Sequence, residues 1–582
     1  MLDATATTAP DDLEVDAPGP DDAAPARKPL RRRLLWPFGV GLFVQVVLVL
    51  GDKLPSVDSV SYFETGHNFV SGNGYTRSGA PELHFPPITP VGFGLLEKLT
   101  GSDMWALRSW NLIWGMAAVL LLTAIGWYLS RDDDATVATA WLSWLVPGAI
   151  TLSIKSGSGS ELTTAVFVLG AALLTLWTLD TAADRSKPKL YAGLVGGGAL
   201  VGLAYLTRPE SLMPGATIGL AVVLVALRDK RHGWGKRFGT AIAHGAAFGL
   251  ACLVFIAPYV NYQHSNTGTW ALTSKTKDAS IDAWRAVAEN DRLERDQILY
   301  AIQPDGVSLG PETRSLTAIA REHPRGWLTI AWTNTTTILG DVFKVSWKSG
   351  PVWELMAPFI LIPALVQIWR KRRNRATLLF AVLAAWPLAT CFLFFALPRY
   401  MIMTIAALIP FGAWGLADWT HRMRLGRARM VWWAVGILSV VSFLGGASIL
   451  LPWTNRHEHT EQRTVGEWID RNTPKGSRIM TRSFIVQGYS HRDVVAMPSA
   501  EYRAMLEFAR RKGVDYIVAD ESTIKSRRPE VYDILMQEEG APVGLKLVHQ
   551  FEENHQLVKV YQLDPPAPKT NEPPLFLGYV AD

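Results

Sequence analysis

Cysteine is almost absent from this chain. Among 582 residues there are two, Cys252 and Cys391, and both lie inside apolar runs of membrane-spanning length. Their positions exclude a disulfide framework and a cysteine-based metal site. The chain also lacks an internal repeat, which argues against the two-halved architecture of many secondary transporters.

Large apolar side chains are scarce in the first 26 residues, which consist mostly of Ala, Pro, Asp and Thr. Such a segment cannot bury enough surface to offset the entropy cost of folding, so residues 1–33 are predicted to form a disordered cytoplasmic tail. No short apolar region with a small-residue cleavage site precedes the first long apolar run. That run is therefore predicted to be an uncleaved membrane anchor and not a signal peptide.

Long apolar runs are what the chain has in abundance. Hydrophobic residues make up 49% of the sequence and charged residues 19%, and the mean hydropathy is +0.13. A hydrocarbon core of about 30 Å requires roughly 20 apolar residues per helix. Eleven runs near this length are predicted to span the membrane: 34–51, 105–129, 135–153, 161–180, 190–207, 211–227, 238–258, 352–369, 376–397, 400–418 and 430–452. The fifth and sixth are short and closely spaced, so they also fit a re-entrant pair.

Lysine and arginine are concentrated in a few short loops, and this sets the predicted orientation. The basic clusters are the segments 27–33, 228–237, 370–375 and 421–429. Because loops rich in these residues stay in the cytoplasm, the N-terminus is predicted inside and the tail after Pro452 outside. The outer face then receives two long loops, 52–104 and 259–350. This topology accounts for the pI near 9.0 without a nucleic-acid partner.

The tail, residues 453–582, alternates segments of helical and strand periodicity. Amphipathic helices are predicted near 464–472 and over 501–512, and a buried strand over 514–519. This alternation is typical of a small α/β domain, here on the outer face. The tail contains no GxGxxG, P-loop, HExxH or GxSxG motif, so it is assigned no chemistry of its own.

Asp58 is the first candidate for chemistry. It follows the first predicted span, at the start of the outer loop 52–104. Tyr62 lies four residues further on, and side chains at i and i+4 share one face of a helix. His67 and a Gly-rich turn toward His84 follow, so polar groups are dense in this loop. The competing explanation for Asp58 is a helix N-cap.

Short motifs in a fixed order extend this observation. They are Asp-x-x-x-Tyr at 58–62, SGNGY at 71–75, HFPP at 84–87, RSWN at 108–111, SE at 160–161, LTRPE at 206–210, HP at 323–324 and PRY at 398–400. With this order and topological placement, residues 34–452 resemble the membrane glycosyltransferases of the GT-C fold. The nearest branch contains the protein O-mannosyltransferases, the aminoarabinose transferases of lipid A and the RgtA/B/C/D-like group, a likeness to glycosyltransferase families 39 and 83.

The resemblance implies a mainly α-helical, polytopic enzyme of the cell membrane. It would move a sugar from a polyprenyl-phosphate donor to an acceptor hydroxyl of a glycan, glycolipid or protein on the extracytoplasmic face. Asp58 occupies the place of the proposed general base, which takes the acceptor proton. The residues placed to bind the donor are Tyr62, His84, Lys155, Glu161, Arg208, Arg399 and Tyr400, with Lys275 and Lys277 as further phosphate contacts.

Each basic candidate has a competing structural explanation. Arg399 lies at the outer end of a predicted span, where an arginine can clamp a phosphate or extend its side chain to the lipid headgroups. Arg208 is followed closely by Glu210, and Lys155 by Glu161, so simple ion pairs also explain them.

A divalent metal and the identity of the sugar stay open. His67, His84, Asp103 and Glu161 supply ligand-type atoms, but no spacing among them is diagnostic of a metal site, and none is predicted. Several members of the resembled group carry a lysine before the paired prolines of the first loop, where this chain has Phe85. This departure leaves open whether the first loop touches the phosphate and which sugar is transferred.

Three other functions fit parts of the pattern. A transporter would place its ionisable residues near the bilayer midplane, whereas here they cluster at span ends and in outer loops. A membrane sensor with an outer ligand-binding domain would explain the tail but not the polar loop after the first span. A lipid-carrier ligase would use the same face and phosphate, but without the first-loop aspartate.

Overall fold

The computed structural model describes residues 29–50, 57–77, 80–145, 159–182, 186–273, 291–310, 321, 324–343, 345–346, 352–353, 356–393, 398–448 and 459–570. These residues form a bundle of apolar helices joined to an α/β domain. The bundle contains the helices α1 Leu30–Leu50, α2 Val57–Val70, α3 Ile88–Thr100, α4 Asp103–Ser130, α5 Asp133–Leu145, α6 Ser160–Asp180, α7 Lys187–Tyr205, α8 Leu212–Leu227 and α9 Trp234–Thr267. They are followed by α10 Arg292–Tyr300, α11 Pro324–Phe343, α12 Pro358–Lys371, α13 Arg375–Leu393, α14 Ile402–Thr420 and α15 Leu425–Ser448.

Apolar length and composition agree with a multi-pass membrane protein. Each of the eleven predicted spans overlaps one of these helices, and α7 and α8 are separate helices. Within the described residues, six helical segments are long and apolar enough to cross a membrane: Leu30–Leu50, Asp103–Ser130, Ser160–Asp180, Pro209–Leu227, Trp234–Thr267 and Arg399–Thr420. Helix α14 packs against α4, α5, α6, α12 and α13, which places it at the centre of the bundle.

Helix α2, a separate helix of the first loop, packs closely on α3. At Gly94 an added Cβ would lie 2.3 Å from the carbonyl oxygen of Gly66, so both positions require glycine. The aromatic rings of Tyr62 and Phe93 stack across the same interface, with centroids 5.8 Å apart. This packing fixes one side of the helix that carries Asp58.

Four short strands and two 3-10 turns lie in the connections between the helices of the bundle. The strands pair as two antiparallel hairpins, β1 Thr76–Arg77 with β2 Ala80–Pro81 and β3 Val345–Ser346 with β4 Val352–Trp353. The 3-10 turns span Pro209–Ser211 and Pro398–Met401, directly before α8 and α14. Two of the predicted site arginines, Arg208 and Arg399, lie at these turns.

The tail forms an α/β domain. Its helices are α16 Thr460–Asn472, α17 Phe484–Ser490, α18 Tyr502–Arg511, α19 Glu521–Arg527 and α20 Pro529–Leu535, and its strands are β5 Arg478–Thr481, β6 Asp493–Ala496, β7 Tyr516–Asp520, β8 Leu545–Glu553 and β9 Gln556–Leu563. The sheet order is β6-β5-β7-β9-β8, with β5 parallel to β6 and β7 and with β9 antiparallel to its neighbours. Buried aliphatic residues of the strands fill the space beneath the helices.

A segment of the second long loop belongs structurally to the tail domain. Tyr300 and Leu309 lie in the core of that domain, and the amide of Ser499 donates to the carbonyl oxygen of Tyr300 at 2.9 Å. Asp296 is fully buried and forms ion pairs with Arg482 and Arg528. Residues 291–310 are therefore part of the core of the tail domain, although they precede it by more than 140 residues in the chain.

Candidate active site

Asp58 lies in the first turn of α2 and is buried, with 6% of its surface exposed. Its carboxylate oxygen Oδ2 accepts a hydrogen bond from Arg399 Nη1 at 2.9 Å. A carboxylate that only capped its own helix would not need a buried partner 341 residues away in the chain. The arrangement favours a role in a site over the simple N-cap explanation.

Arg399 and Arg208 meet at a second buried carboxylate. Glu161 Oε1 lies 2.7 Å from Arg208 Nη1 and 3.6 Å from Arg399 Nε. Arg208 also contacts Glu210 at the rim, with 2.6 Å between Nε and Oε1. The ring of Tyr400 lies under both guanidinium groups, at 5.1 Å from Arg208 and 5.6 Å from Arg399. Aromatic faces attract cations, so this ring helps to hold the two arginines side by side.

Tyr62 joins the same cluster through a serine. Its hydroxyl donates to Ser160 Oγ at 3.3 Å, Ser160 Oγ donates to Glu161 Oε2 at 3.2 Å, and Arg208 Nη1 lies 3.3 Å from Ser160 Oγ. Burial raises the pKa of Tyr62 well above its usual value, and Asp58 and Glu161 raise it further. Tyr62 is therefore a neutral phenol that can donate a hydrogen bond.

Six of the predicted site residues thus form one network. They are Asp58, Tyr62, Glu161, Arg208, Arg399 and Tyr400. In the buried interior of this network, a pair of carboxylates faces a pair of guanidinium groups, so the charges balance. Glu210 adds a negative charge at the more exposed rim, where water screens it.

Helix starts position most of these side chains. Ser160 and Glu161 open α6, Arg399 and Tyr400 immediately precede α14, and Asp58 opens α2. Backbone N–H groups at a helix start carry partial positive charge and favour anions nearby. The network therefore lies where a negatively charged ligand is favoured by both the arginines and the backbone.

His84 and Phe85 occupy a neighbouring stretch of the first loop. The backbone amide of His84 donates to Glu82 Oε1 at 2.6 Å, and the His84 ring packs edge-on against Phe85. Phe85 is buried and lies edge-on to Tyr62, with ring centroids 4.7 Å apart. Where a lysine is expected from the resemblance, this chain thus has a packing ring that supports Tyr62.

The first loop is docked onto α9 by side chains that the sequence did not single out. Tyr262 donates to the carbonyl oxygen of Tyr75 at 2.8 Å, and Gln263 donates to that of Leu83 at 3.1 Å. Glu82, a second buried carboxylate of the loop, pairs with Arg77 at 2.5 Å. These contacts fix the loop next to the network.

The other candidates are three lysines and Asp103. Lys155, Lys275 and Lys277 lie outside the described residues. Asp103 is in the first turn of α4, and its carboxylate accepts from its neighbour's amide at 2.7 Å and from the Tyr489 hydroxyl at 2.7 Å. It therefore joins the bundle to the tail domain.

Metal-ligating groups lie elsewhere among the described residues. The one set of His, Cys, Asp or Glu side chains found close enough there to share an ion is Asp132, Asp134 and His421. Asp134 is also paired with Arg33. These residues lie at the start of α5 and the end of α14, away from Asp58.

A family model matches a segment in the first half of the chain. Residues 84–262 match the model described as dolichyl-phosphate-mannose-protein mannosyltransferase. The matched segment contains Glu161 and Arg208 but ends before Arg399 and starts after Asp58. No curated protein sequence matches the chain.

The fold is similar to several solved structures. The Archaeoglobus fulgidus oligosaccharyltransferase tethered with an acceptor peptide has a TM-score of 0.55 and 14% identity over 86% of this chain and 72% of its own. The oligosaccharyltransferase AglB of the same organism, in complex with an inhibitory peptide and a dolichol-phosphate, has a TM-score of 0.53 and 13% identity over 85% of this chain and 70% of its own.

A third similar structure is ArnT from Cupriavidus metallidurans bound to undecaprenyl phosphate. It has a TM-score of 0.52 and 13% identity over 90% of this chain and 97% of its own. At these identities the likeness concerns the fold. The resemblance to membrane glycosyltransferases of the GT-C fold is confirmed by the family of the matched segment and by this fold. The same family match and fold support the predicted enzyme class, a membrane glycosyltransferase with a lipid-linked donor.

Proposed function

We propose that this multi-pass membrane protein transfers a sugar from a polyprenyl-phosphate donor to an acceptor hydroxyl, with Asp58 as the general base. The observation that carries the proposal is the buried network that joins Asp58 to Arg399, Glu161 and Arg208. A base for the acceptor and two cations for the donor phosphate lie within one site. The two similar structures that hold dolichol-phosphate or undecaprenyl phosphate support a donor of this chemical class.

The proposed reaction is a single displacement at the anomeric carbon. The acceptor oxygen forms a bond to this carbon, and the bond from the carbon to the phosphate oxygen breaks. Both electrons of the broken bond leave with the polyprenyl phosphate, and the acceptor proton moves to the Asp58 carboxylate. Arg208 and Arg399 stabilise the negative charge that develops on the departing phosphate.

Arg399 would serve both halves of this reaction. One of its nitrogens contacts Asp58 and another faces Glu161, so its guanidinium lies between the proposed base and the proposed phosphate site. The planar guanidinium can bind two oxygens of a phosphate at once. When a phosphate binds there, Arg399 donates to the phosphate in place of Asp58. The Asp58 carboxylate then becomes available to the acceptor.

The active site is proposed to face the extracytoplasmic side. Helix α6 has Glu161 at its start and Asp180 at its end, about 29 Å apart at 1.5 Å per residue, which is close to the thickness of a hydrocarbon core. Asp180 pairs with Arg375, and Asp418 near the end of α14 pairs with Arg370. The basic clusters therefore collect at the end of the bundle opposite the network, as a cytoplasmic end does.

Cell-envelope chemistry tests the function as a whole. A strain lacking the protein should accumulate its lipid-linked sugar and lose the matching sugar from an envelope glycan, glycolipid or protein. The wild-type gene should restore the modification and an Asp58→Asn gene should not. An envelope unchanged in both sugar composition and lipid-linked sugars would overturn the proposal.

Arg399→Ala is expected to weaken binding of polyprenyl phosphate by about 10- to 100-fold, because a hydrogen bond to a charged group contributes roughly 1.5–3 kcal/mol. Binding can be measured by calorimetry on purified protein in nanodiscs, with polyprenyl phosphate as the probe. Arg422→Ala is the matched control, since Arg422 is an exposed arginine that pairs with Asp418, far from Asp58. Equal affinity for the Arg399 variant and the control would limit Arg399 to its contacts with Asp58 and Glu161 and exclude a contact with the donor phosphate.

A further inference from the structure

The tail domain reaches the helix that carries Asp58 through α17. At Gly488 an added Cβ would lie 1.9 Å from Val60 Cγ1 and 3.2 Å from Val60 Cβ. Val60 is buried and lies on α2 two residues after Asp58. Only glycine allows α17 and α2 to approach this closely, so the contact is a specific fit.

The residues on both sides of Gly488 bind the bundle with polar groups. Gln487 Nε2 donates to Glu64 Oε2 at 3.0 Å, and the Tyr489 hydroxyl donates to Asp103 Oδ2 at 2.7 Å. Burial raises the pKa of Tyr489 well above its usual value and Asp103 raises it further, so this hydroxyl keeps its proton. Three consecutive residues of α17 thus hold α2 and the start of α4 together.

Helix α17 is itself held firmly within the tail domain. Ser483 caps its start by accepting from the amide of Val486 at 3.3 Å, and the Ser483 hydroxyl donates to Gln462 on α16 at 2.7 Å. Arg482, the residue before the cap, is buried against Asp296. A short helix fixed at its start by a cap, a neighbouring helix and a buried ion pair is rigid enough to limit the movement of a helix packed against it.

We propose that α17 is a positioning element for the active site, with Gly488 as the positioning residue that sets the place of Asp58. This inference rests on the proposed function. Helix α2 is held on one side by α3, through the contact between Gly66 and Gly94, and by α17 through Val60. Arg208 and Arg399 are carried by other segments, so a shift of α2 moves Asp58 relative to the acceptor while the backbone that carries the two arginines stays in place.

The inference gives the tail domain a role in the chemical step. A displacement of about 1 Å in a reacting group can lower a rate by roughly a hundredfold. Gly488→Ala is therefore expected to lower kcat by about 10- to 100-fold while leaving the affinity for polyprenyl phosphate unchanged. A residue that only stabilised the fold would not produce this separation between kcat and binding.

Rescue by a second substitution makes the test specific. In the full-length protein reconstituted in liposomes, Gly488→Ala is compared with Val60→Ala and with the double variant. Removing the Val60 Cγ atoms leaves the new Cβ 3.2 Å from the Val60 Cβ, a contact that a shift of a few tenths of an ångström relieves. The double variant should recover most of the lost kcat. Gly476→Ala, in the same domain with open space around its Cβ, should behave as wild type.

The outcomes separate this inference from the proposed function. A wild-type protein that transfers no sugar from any polyprenyl-phosphate donor would overturn the function itself. An active wild type with a Gly488→Ala variant of normal kcat would overturn only the positioning role. A variant that is slow and is not improved by Val60→Ala would overturn it as well, because the defect would then not come from the contact with α2.

Discussion

Asp58→Asn is expected to lower sugar transfer by about 10²- to 10⁴-fold, the range typical of removing a general base. Asparagine has nearly the same shape as aspartate but cannot accept the acceptor's proton. The affinity for polyprenyl phosphate should stay the same or rise, because the Asp58 carboxylate no longer competes with the phosphate for Arg399. Single-turnover transfer in liposomes measures the rate, and calorimetry with polyprenyl phosphate measures the binding.

The control for this prediction is Asp418→Asn, which removes a partly buried, arginine-paired carboxylate far from the network, near the other end of α14. Its transfer rate should equal that of the wild type. If Asp58→Asn retained turnover within a few fold of wild type, another group would have to take the proton, and Glu161 would be the next carboxylate to test because it lies in the same network.

Asp296→Ala is expected to destabilise the tail domain by about 3–5 kcal/mol, because removing one partner leaves buried charges uncompensated. Asp296 and Arg528 are fully buried, and Arg482 is nearly so. Guanidinium nitrogens of both arginines bind the one carboxylate, with Tyr300 beside them. Thermal unfolding of the full-length protein, with protease resistance of the tail domain as a second readout, measures the loss.

The same cluster predicts the direction of a pH effect. Burial raises the pKa of Asp296, but the guanidinium groups of Arg482 and Arg528 outweigh burial and hold this pKa below the usual value of 3.8. A carboxyl group with a lowered pKa in the folded state stabilises the fold fully above its unfolded pKa, and this stability is lost as the pH falls further. The tail domain should therefore lose stability below about pH 4, and Asp296→Ala should reduce this dependence.

An exposed carboxylate provides the matched control for Asp296. Glu539→Gln changes one charge at an exposed position of the same domain and should leave the unfolding temperature unchanged. A loss of less than about 1 kcal/mol in Asp296→Ala would mean that water reaches the two arginines, since exposed ion pairs contribute only that much.

The sequence singled out the residues of the network better than the contacts that join them. Asp58, Glu161, Arg208 and Arg399 each lie at the start or end of an apolar run, and helix ends on one side of a membrane gather at one level. The predicted topology therefore places their segments at one level of the membrane. Ser160 was visible within a motif, but its role as the hydrogen-bonded link from Tyr62 to Glu161 depends on side-chain geometry that no periodicity records.

Sequence patterns did not predict the contacts between segments that lie far apart in the chain. The segment 291–310 has the composition of a charged outer loop, and nothing in its periodicity indicates that Asp296 lies against Arg482, 186 residues later. Glu82 likewise follows a short hairpin without any local sign of burial. In both cases burial is decided by a partner far away in the chain, whereas helices are decided by neighbours within a few residues.

The ion pair between Asp58 and Arg399 also bears on how the protein is made. Its two halves are separated by 341 residues, and Gly488 lies a further 89 positions beyond Arg399. During synthesis Asp58 is therefore made before its arginine, and well before the tail-domain helix that packs against α2. A prematurely terminated chain would therefore carry the carboxylate without the groups that complete the site, so incomplete translation products should be inert toward the lipid-linked sugar pool.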